Sequence, residues 1–205
     1  MKIGIISDTH NKKDLIKKAL QVFKHEKVGM IIHAGDMDTA EMLFNFNDLG
    51  VPLRMAIGNV DEEPERFGEK ARELGIDFEI NTFLKLEVNG KRIFVFHGNV
   101  LGEREKVLNT MIQSGLYDVI IYGHSHKQSL STRRLSTSLE TPRSLRPSSG
   151  SSTRSPRPLD FARGRSEDGV LIFNPGSLEP LVAGVKPSVI IYNTETGEAK
   201  FVELD

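Results

Sequence analysis

The stretch Lys2-Ile3-Gly4-Ile5-Ile6-Ser7-Asp8-Thr9-His10 decides how this chain is read. Its first half is a short apolar run of largely β-branched residues, the pattern of a buried strand. Its second half stops burying side chains and presents a carboxylate and an imidazole two residues apart. In an extended segment residues i and i+2 lie on the same side, so Asp8 and His10 can reach one point. A hard oxygen donor beside a borderline nitrogen donor suits a divalent ion such as Mn²⁺, Zn²⁺ or Fe²⁺. Alone the pair decides little, because an Asp after a strand also serves as a helix cap.

The same plan repeats downstream. Asn11 and Asp14 offer caps to a helix in which Leu15, Ile16, Ala19, Leu20, Val22 and Phe23 recur at helical spacing up to Gly29. Met30 to Ala34 is a second apolar strand, and it runs into Gly35-Asp36. A helix is expected from Thr39, carrying Met42, Leu43, Phe46 and Leu49 as far as Gly50. Val51 to Ile57 is a third strand, closed by Gly58-Asn59-Val60-Asp61, and a further helix spans Glu62 to Leu74. Strand–helix units of this kind make an α/β sheet with its site at the strand ends.

The middle of the chain changes character. Phe83 to Val88 alternates apolar with polar, Asn89-Gly90 is a strong hairpin signal, and Arg92 to Phe96 returns as a strand ending in His97-Gly98. A helix over Glu103 to Gln113 and a strand over Tyr117 to Tyr122 follow, the latter ending in Gly123-His124-Ser125-His126. Val170 to Phe173, Val189 to Tyr192 and Ala199 to Leu204 also read as strands. The second half is thus richer in antiparallel strands, which implies two packed sheets.

With 205 residues the chain can bury one sizeable core. A net charge of −1 argues against nucleic-acid or membrane-surface binding. Cysteine is absent, which excludes disulfides and thiolate zinc sites. The chain enters its first strand without a leader pattern, and no apolar run is long enough to span a bilayer. A soluble cytoplasmic protein is expected. Residues from about Ser129 to Ser166 depart from this pattern: they are rich in Ser, Arg, Thr and Pro, and eight arginines face Glu140 and Asp160. Such a composition cannot offset its ordering entropy by burial. The expectation is one domain over 1–205 with a disordered insertion at about 129–166.

Asp8 and His10, Asp36, Asn59, His97, and His124 with His126 all sit at strand ends, and four of the six histidines fall there. In their order Asp-x-His, Gly-Asp, Gly-Asn, His and Gly-His-x-His, these motifs resemble the calcineurin-like metallophosphoesterases. Phe173-Asn174-Pro175-Gly176-Ser177 is also typical of that group. Small size and Gly-Asn followed by Val60-Asp61 look most like its short prokaryotic phosphodiesterase subgroup. The resemblance implies a four-layer α-β-β-α sandwich of two mixed sheets flanked by helices. It also implies that Asp8, His10 and His126 hold one metal, Asn59, His97 and His124 a second, and Asp36 bridges them. Asp36, Asn59 and His97 are the residues expected to take direct part in catalysis. Two ions that share a hydroxide can clamp the nonbridging oxygens of a phosphate, with Mn²⁺ first in expectation and Ni²⁺, Zn²⁺, Fe²⁺ or Mg²⁺ as options. The expected partner is a small phosphodiester, not a nucleic acid or a membrane, with homo-oligomerisation left open.

One departure stands out. Many members carry His after Gly-Asn, able to contact the phosphate, whereas this chain has Val60. Asp61 reads as the N-cap of the helix from Glu62, His33 as a packing or supporting histidine inside its strand, and His25 as solvated. The competing reading is a non-catalytic interaction scaffold on the same fold. A complete ligand set favours the enzyme, because a scaffold has no need to keep its ligands. A nuclease, drawing on the basic insertion, would call for interleaved aromatics that are not there.

Overall fold

The computed structural model describes residues 1–99, 103–134, 169–179 and 186–204. Strand β1 (Lys2–Ile6) leads to helix α1 (Lys13–Glu26), β2 (Met30–His33), a 3₁₀ helix (Ala40–Leu49), β3 (Leu53–Ala56), α2 (Pro64–Leu74) and β4 (Phe78–Asn81). The hairpin β5 (Phe83–Val88) and β6 (Lys91–Phe96) follows, then α3 (Arg104–Ser114) and β7 (Val119–Tyr122). Strands β8 (Gln128–Arg133), β9 (Val170–Pro175), β10 (Ser188–Asn193) and β11 (Ala199–Glu203) complete the described chain.

The strands form two mixed sheets, ordered β11-β10-β1-β2-β3-β4 and β5-β6-β7-β9-β8. In the first, β1 to β4 run parallel and β10 and β11 antiparallel. In the second, β6, β7 and β9 run parallel, with β5 and β8 antiparallel at the edges. Alternation along the strands builds three apolar layers. Ile3, Ile5, Ile32, Val95, Ile121 and Tyr192 pack between the sheets. Ile6, Ile31 and Ile191 face the other way, onto Ile16, Phe23 and Phe67 of the helices. Phe94, Phe96 and Ile120 cover Leu108 and Ile112 of α3. The result is the expected helix–sheet–sheet–helix order.

The structure differs from the sequence reading in three places. The segment after Thr39 is a 3₁₀ helix, and its buried residues Ala40, Leu43 and Phe46 are spaced by three. That spacing matches 3.0 residues per turn, while Asn45 donates its side-chain N–H to the Met42 carbonyl at 3.0 Å. Strand β4 was too short to stand out in the sequence. Strand β8 falls inside the segment expected to be unstructured: residues 129–133 pair with β9, Arg133 opposite Val170. The rest of that expectation, residues 135–166, lies outside the described residues.

Candidate metal centre

Parallel β1, β2 and β3 deliver Asp8, His10, Asp36 and Asn59 from their carboxyl ends, and β6 and β7 deliver His97, His124 and His126 from the facing sheet. Asp8, His10, Asp36, His124 and His126 all have φ between 42° and 63°. This left-handed conformation is costly for residues with a Cβ, and Asp and His adopt it more readily than β-branched types. Two groups result that could hold an ion: Asp8 with His10 and His126, and Asp36 with His97 and His124. Within each group one ligand atom per residue lies within 4.8 Å of the others. Asn59 lies between Gly58, which abuts the Asp36 carboxylate, and Val60, whose N–H donates to Asp36 Oδ1 at 3.2 Å.

Three of the histidines are oriented by their Nδ1 atoms. His10 Nδ1 lies 3.0 Å from Asp38 Oδ1, His97 Nδ1 lies 2.8 Å from the Ala34 carbonyl, and His126 Nδ1 lies 3.4 Å from the Glu179 carbonyl. An Nδ1–H that donates to oxygen leaves the Nε2 lone pair free. His10 Nε2 and His126 Nε2 face each other at 3.4 Å. Two lone pairs that close need a proton or a cation between them. His97 Nε2 is buried without a hydrogen bond, although Asp36 Oδ2 lies 3.1 Å away. The donor set therefore fits divalent metal ions.

The charges follow from this crowding. Asp8 draws His126 up from the ordinary histidine range, outweighing burial. Burial pulls His97 down, but Asp36 prevails and the net shift is upward. The carboxyl of Asp36 meets the same burial, yet His97 and the Val60 N–H hold it below its usual range. His124 is lowered by burial and by the neighbouring His97. Burial holds His33 down at about 3. It is therefore neutral at pH 7, with Gly35 N–H donating to its Nδ1 at 3.2 Å and its Nε2 meeting Thr9 Oγ1 at 3.1 Å. His33 thus supports the loops, as its position in the strand suggests.

Other residues brace the centre. Asn174 donates to the Gly123 carbonyl at 3.0 Å, and Ser177 Oγ donates to the Asp8 carbonyl at 2.9 Å. The Asn-Pro-Gly-Ser turn thus ties two of the candidate ligand loops together. Any Cβ at Gly123 would run into Ser7 Oγ and the Asp8 carboxylate. Asp61 is not a helix cap: α2 starts at Pro64 after Glu63, and Asp61 accepts four backbone N–H groups from the loops of Asp36 and Asn59. Asp38 and this use of Asp61 were both missed in the sequence. Only the presence of acids near Gly-Asp and Gly-Asn hinted at them.

Comparison with known proteins agrees with this geometry. Residues 1–197 match the calcineurin-like phosphoesterase superfamily domain. A phosphodiesterase of Methanocaldococcus jannaschii is 29% identical over 205 residues, covering 100% of both chains. The solved structure of an archaeal phosphodiesterase superposes with a TM-score of 0.75 at 29% identity, over 100% of each chain. Vps29 from Entamoeba histolytica, solved with zinc, shares the fold at 15% identity and a TM-score of 0.57, again over 100% of each chain. With that match over nearly its whole length, and with the candidate ligand loops of both sheets meeting at one edge, this chain belongs to the calcineurin-like phosphoesterase superfamily.

Proposed function

We propose that the protein is a dinuclear metal-dependent phosphodiesterase acting on a small cytoplasmic phosphodiester. Asp8, His10 and His126 would hold one ion, Asn59, His97 and His124 the other, and Asp36 would be shared. The observation that supports this most is the set of three histidines tied at Nδ1 with Nε2 turned inward. When bound, a pair of divalent ions supplies positive charge at the phosphate oxygens and acidifies water. Mn²⁺ is the first choice, with Ni²⁺, Zn²⁺, Fe²⁺ or Mg²⁺ as options that the oxygen and imidazole donors also accept.

The chain's own residues set the rest. The two carboxylate oxygens of Asp36 have separate tasks: Oδ1 is held by the Val60 N–H, while Oδ2 faces His97 at 3.1 Å and His10 at 4.0 Å. In hydrolysis a water oxygen adds to phosphorus, the ester P–O bond breaks, and the departing oxygen takes up a proton. Val60 is about half exposed beside the site and offers no proton for that departure. Esters whose leaving group is stable as an anion are therefore the preferred substrates.

The test is chelation of the purified protein followed by Mn²⁺ readdition, assayed on an aryl phosphodiester. Activity should vanish and return. A metal-loaded protein that hydrolyses no phosphate ester would establish the scaffold reading instead.

A further inference from the structure

Asp61 gathers the two loops that follow β2 and β3. Its Oδ1 accepts the backbone N–H groups of Met37 at 2.6 Å and Asp38 at 2.8 Å, and its Oδ2 those of Asp36 at 3.0 Å and Gly58 at 2.6 Å. Three donors follow β2 and the fourth follows β3. Asp36 and Asp38 both have left-handed backbones, with φ of 58° and 78°. A loop bent that way turns successive N–H groups inward, and they converge here on one acceptor. Four donors and no acceptor surround the group, a pattern that only the ionised carboxylate satisfies. Such charge-assisted hydrogen bonds are roughly twice as strong as neutral ones.

From this we propose that Asp61 is a positioning residue for the metal centre, tying the loop of Asp36 to the loop of Asn59 and so setting the half of the site made by Asp36, Asn59, His97 and His124. The inference rests on the dinuclear reading above. It also predicts an asymmetry. The half built on Asp8, His10 and His126 depends on Asp61 through the loop after β2 alone, by the shared Asp36 and by Asp38, which faces His10 at 3.0 Å. The other half depends on it through both loops, by Asp36 directly and by Gly58, the neighbour of Asn59. Val60 N–H completes the link, since it donates to Asp36 from the same loop as Asn59 at 3.2 Å.

Replacement by Asn shows what the carboxylate contributes. An amide has one acceptor oxygen and one NH₂ group, so in either orientation two of the four backbone N–H groups face a donor. Asp61→Glu keeps both oxygens and the charge, at the cost of one extra methylene.

The experiment is calorimetric Mn²⁺ titration of metal-free wild type, Asp61→Asn and Asp61→Glu, with electron paramagnetic resonance reading the spin coupling of paired ions. Wild type should take up two equivalents; fewer would overturn the dinuclear reading and this inference with it. Given two, Asp61→Asn should bind one equivalent within threefold of the wild-type affinity and the other at least tenfold more weakly, with the coupled signal lost. Asp61→Glu should recover part of that signal. Two equivalents bound by Asp61→Asn with wild-type affinity and coupling would overturn the proposal. So would loss of both ions together with the thermal unfolding transition in both variants, because Asp61 would then serve the fold alone.

Discussion

His10 Nδ1 and Asp38 Oδ1 lie 3.0 Å apart, and the other ring nitrogen of His10 is turned toward His126. Asp38 therefore sets both the tautomer and the ring plane of a candidate ligand without entering either ion group. Losing such a support typically costs about 10–100-fold in metal affinity or activity. Asp38→Asn should lower Mn²⁺ affinity by about that factor, with the thermal midpoint of the metal-free protein little changed. Unaltered affinity would show that His10 is oriented by its backbone alone.

Gly58 is demanded by space, not by backbone conformation. A Cβ there would overlap both the Asp36 carboxylate and its backbone nitrogen. Misplacing a reactive group by 1 Å can cost about 10²-fold. Gly58→Ala should reduce kcat/KM on an aryl phosphodiester by about that factor. Wild-type kinetics in a folded variant would mean that the Asp36 loop yields freely.

Val60→His would place an imidazole where the chain now has an exposed aliphatic side chain. General acid catalysis is typically worth about 10²–10⁴-fold. The variant should gain on alkyl esters, whose leaving oxygen needs a proton, and change little on aryl esters. Equal effects on both classes would count against the leaving-group account of substrate preference.

Much of this candidate site was legible because each candidate ligand follows a strand end, where an apolar run gives way to Asp, Asn or His within a few residues. The hairpin was legible for a similar local reason: Asn89 and Gly90 take the left-handed conformations that a tight turn needs, with φ of 49° and 73°. Asp61 was not legible, because its partners at Asp36, Met37 and Asp38 lie 23 to 25 residues away and an Asp before a helix has a simpler local explanation. Strand β8 escaped for the same reason. Gln128 to Arg133 is polar and only partly buried, and it becomes a strand through its pairing with β9.

That pairing makes the inserted residues testable. Arg133 and Val170 are directly opposite, so a short turn from Arg134 to Gly169 can replace residues 135–168 without moving either strand. Loop-closure entropy grows with length, so a connection this much shorter should stabilise the fold by on the order of 2 kcal/mol. Heat denaturation should show an equal or higher midpoint, with kcat/KM unchanged. A large, salt-sensitive fall in kcat/KM would instead give the arginines a role in drawing in anionic substrates. Cooperative unfolding of the shortened chain would make the segment part of the core.

Acid stability has a separate handle at the far edge of the first sheet. Glu26 lies 2.6 Å from Lys2 Nζ and 2.7 Å from Lys200 Nζ, and the two lysines lower its carboxyl to about 2. A carboxyl lowered by folding adds stability above its unfolded value of 4.5, and that share is lost as pH falls toward 2. Lys200 is exposed and Lys2 partly so, and solvent screening keeps the contribution to about 1 kcal/mol. Urea unfolding should show Glu26→Gln weaker than wild type by about that amount at pH 7, with the gap closing as the pH is lowered through 4 and 3. A gap independent of pH would assign the loss to packing.

Each ion group draws on both sheets: Asp8 and His10 meet His126 across the sandwich, and Asp36 meets His97 and His124. A slip of one sheet over the other would dismantle both groups at once, and no single loop could rebuild either. An ion held there would act as a rivet through the two sheets, so its binding energy would oppose separation of the whole sandwich. Amide exchange should then slow in β1 and β7 together when metal is added, although the two strands belong to different sheets.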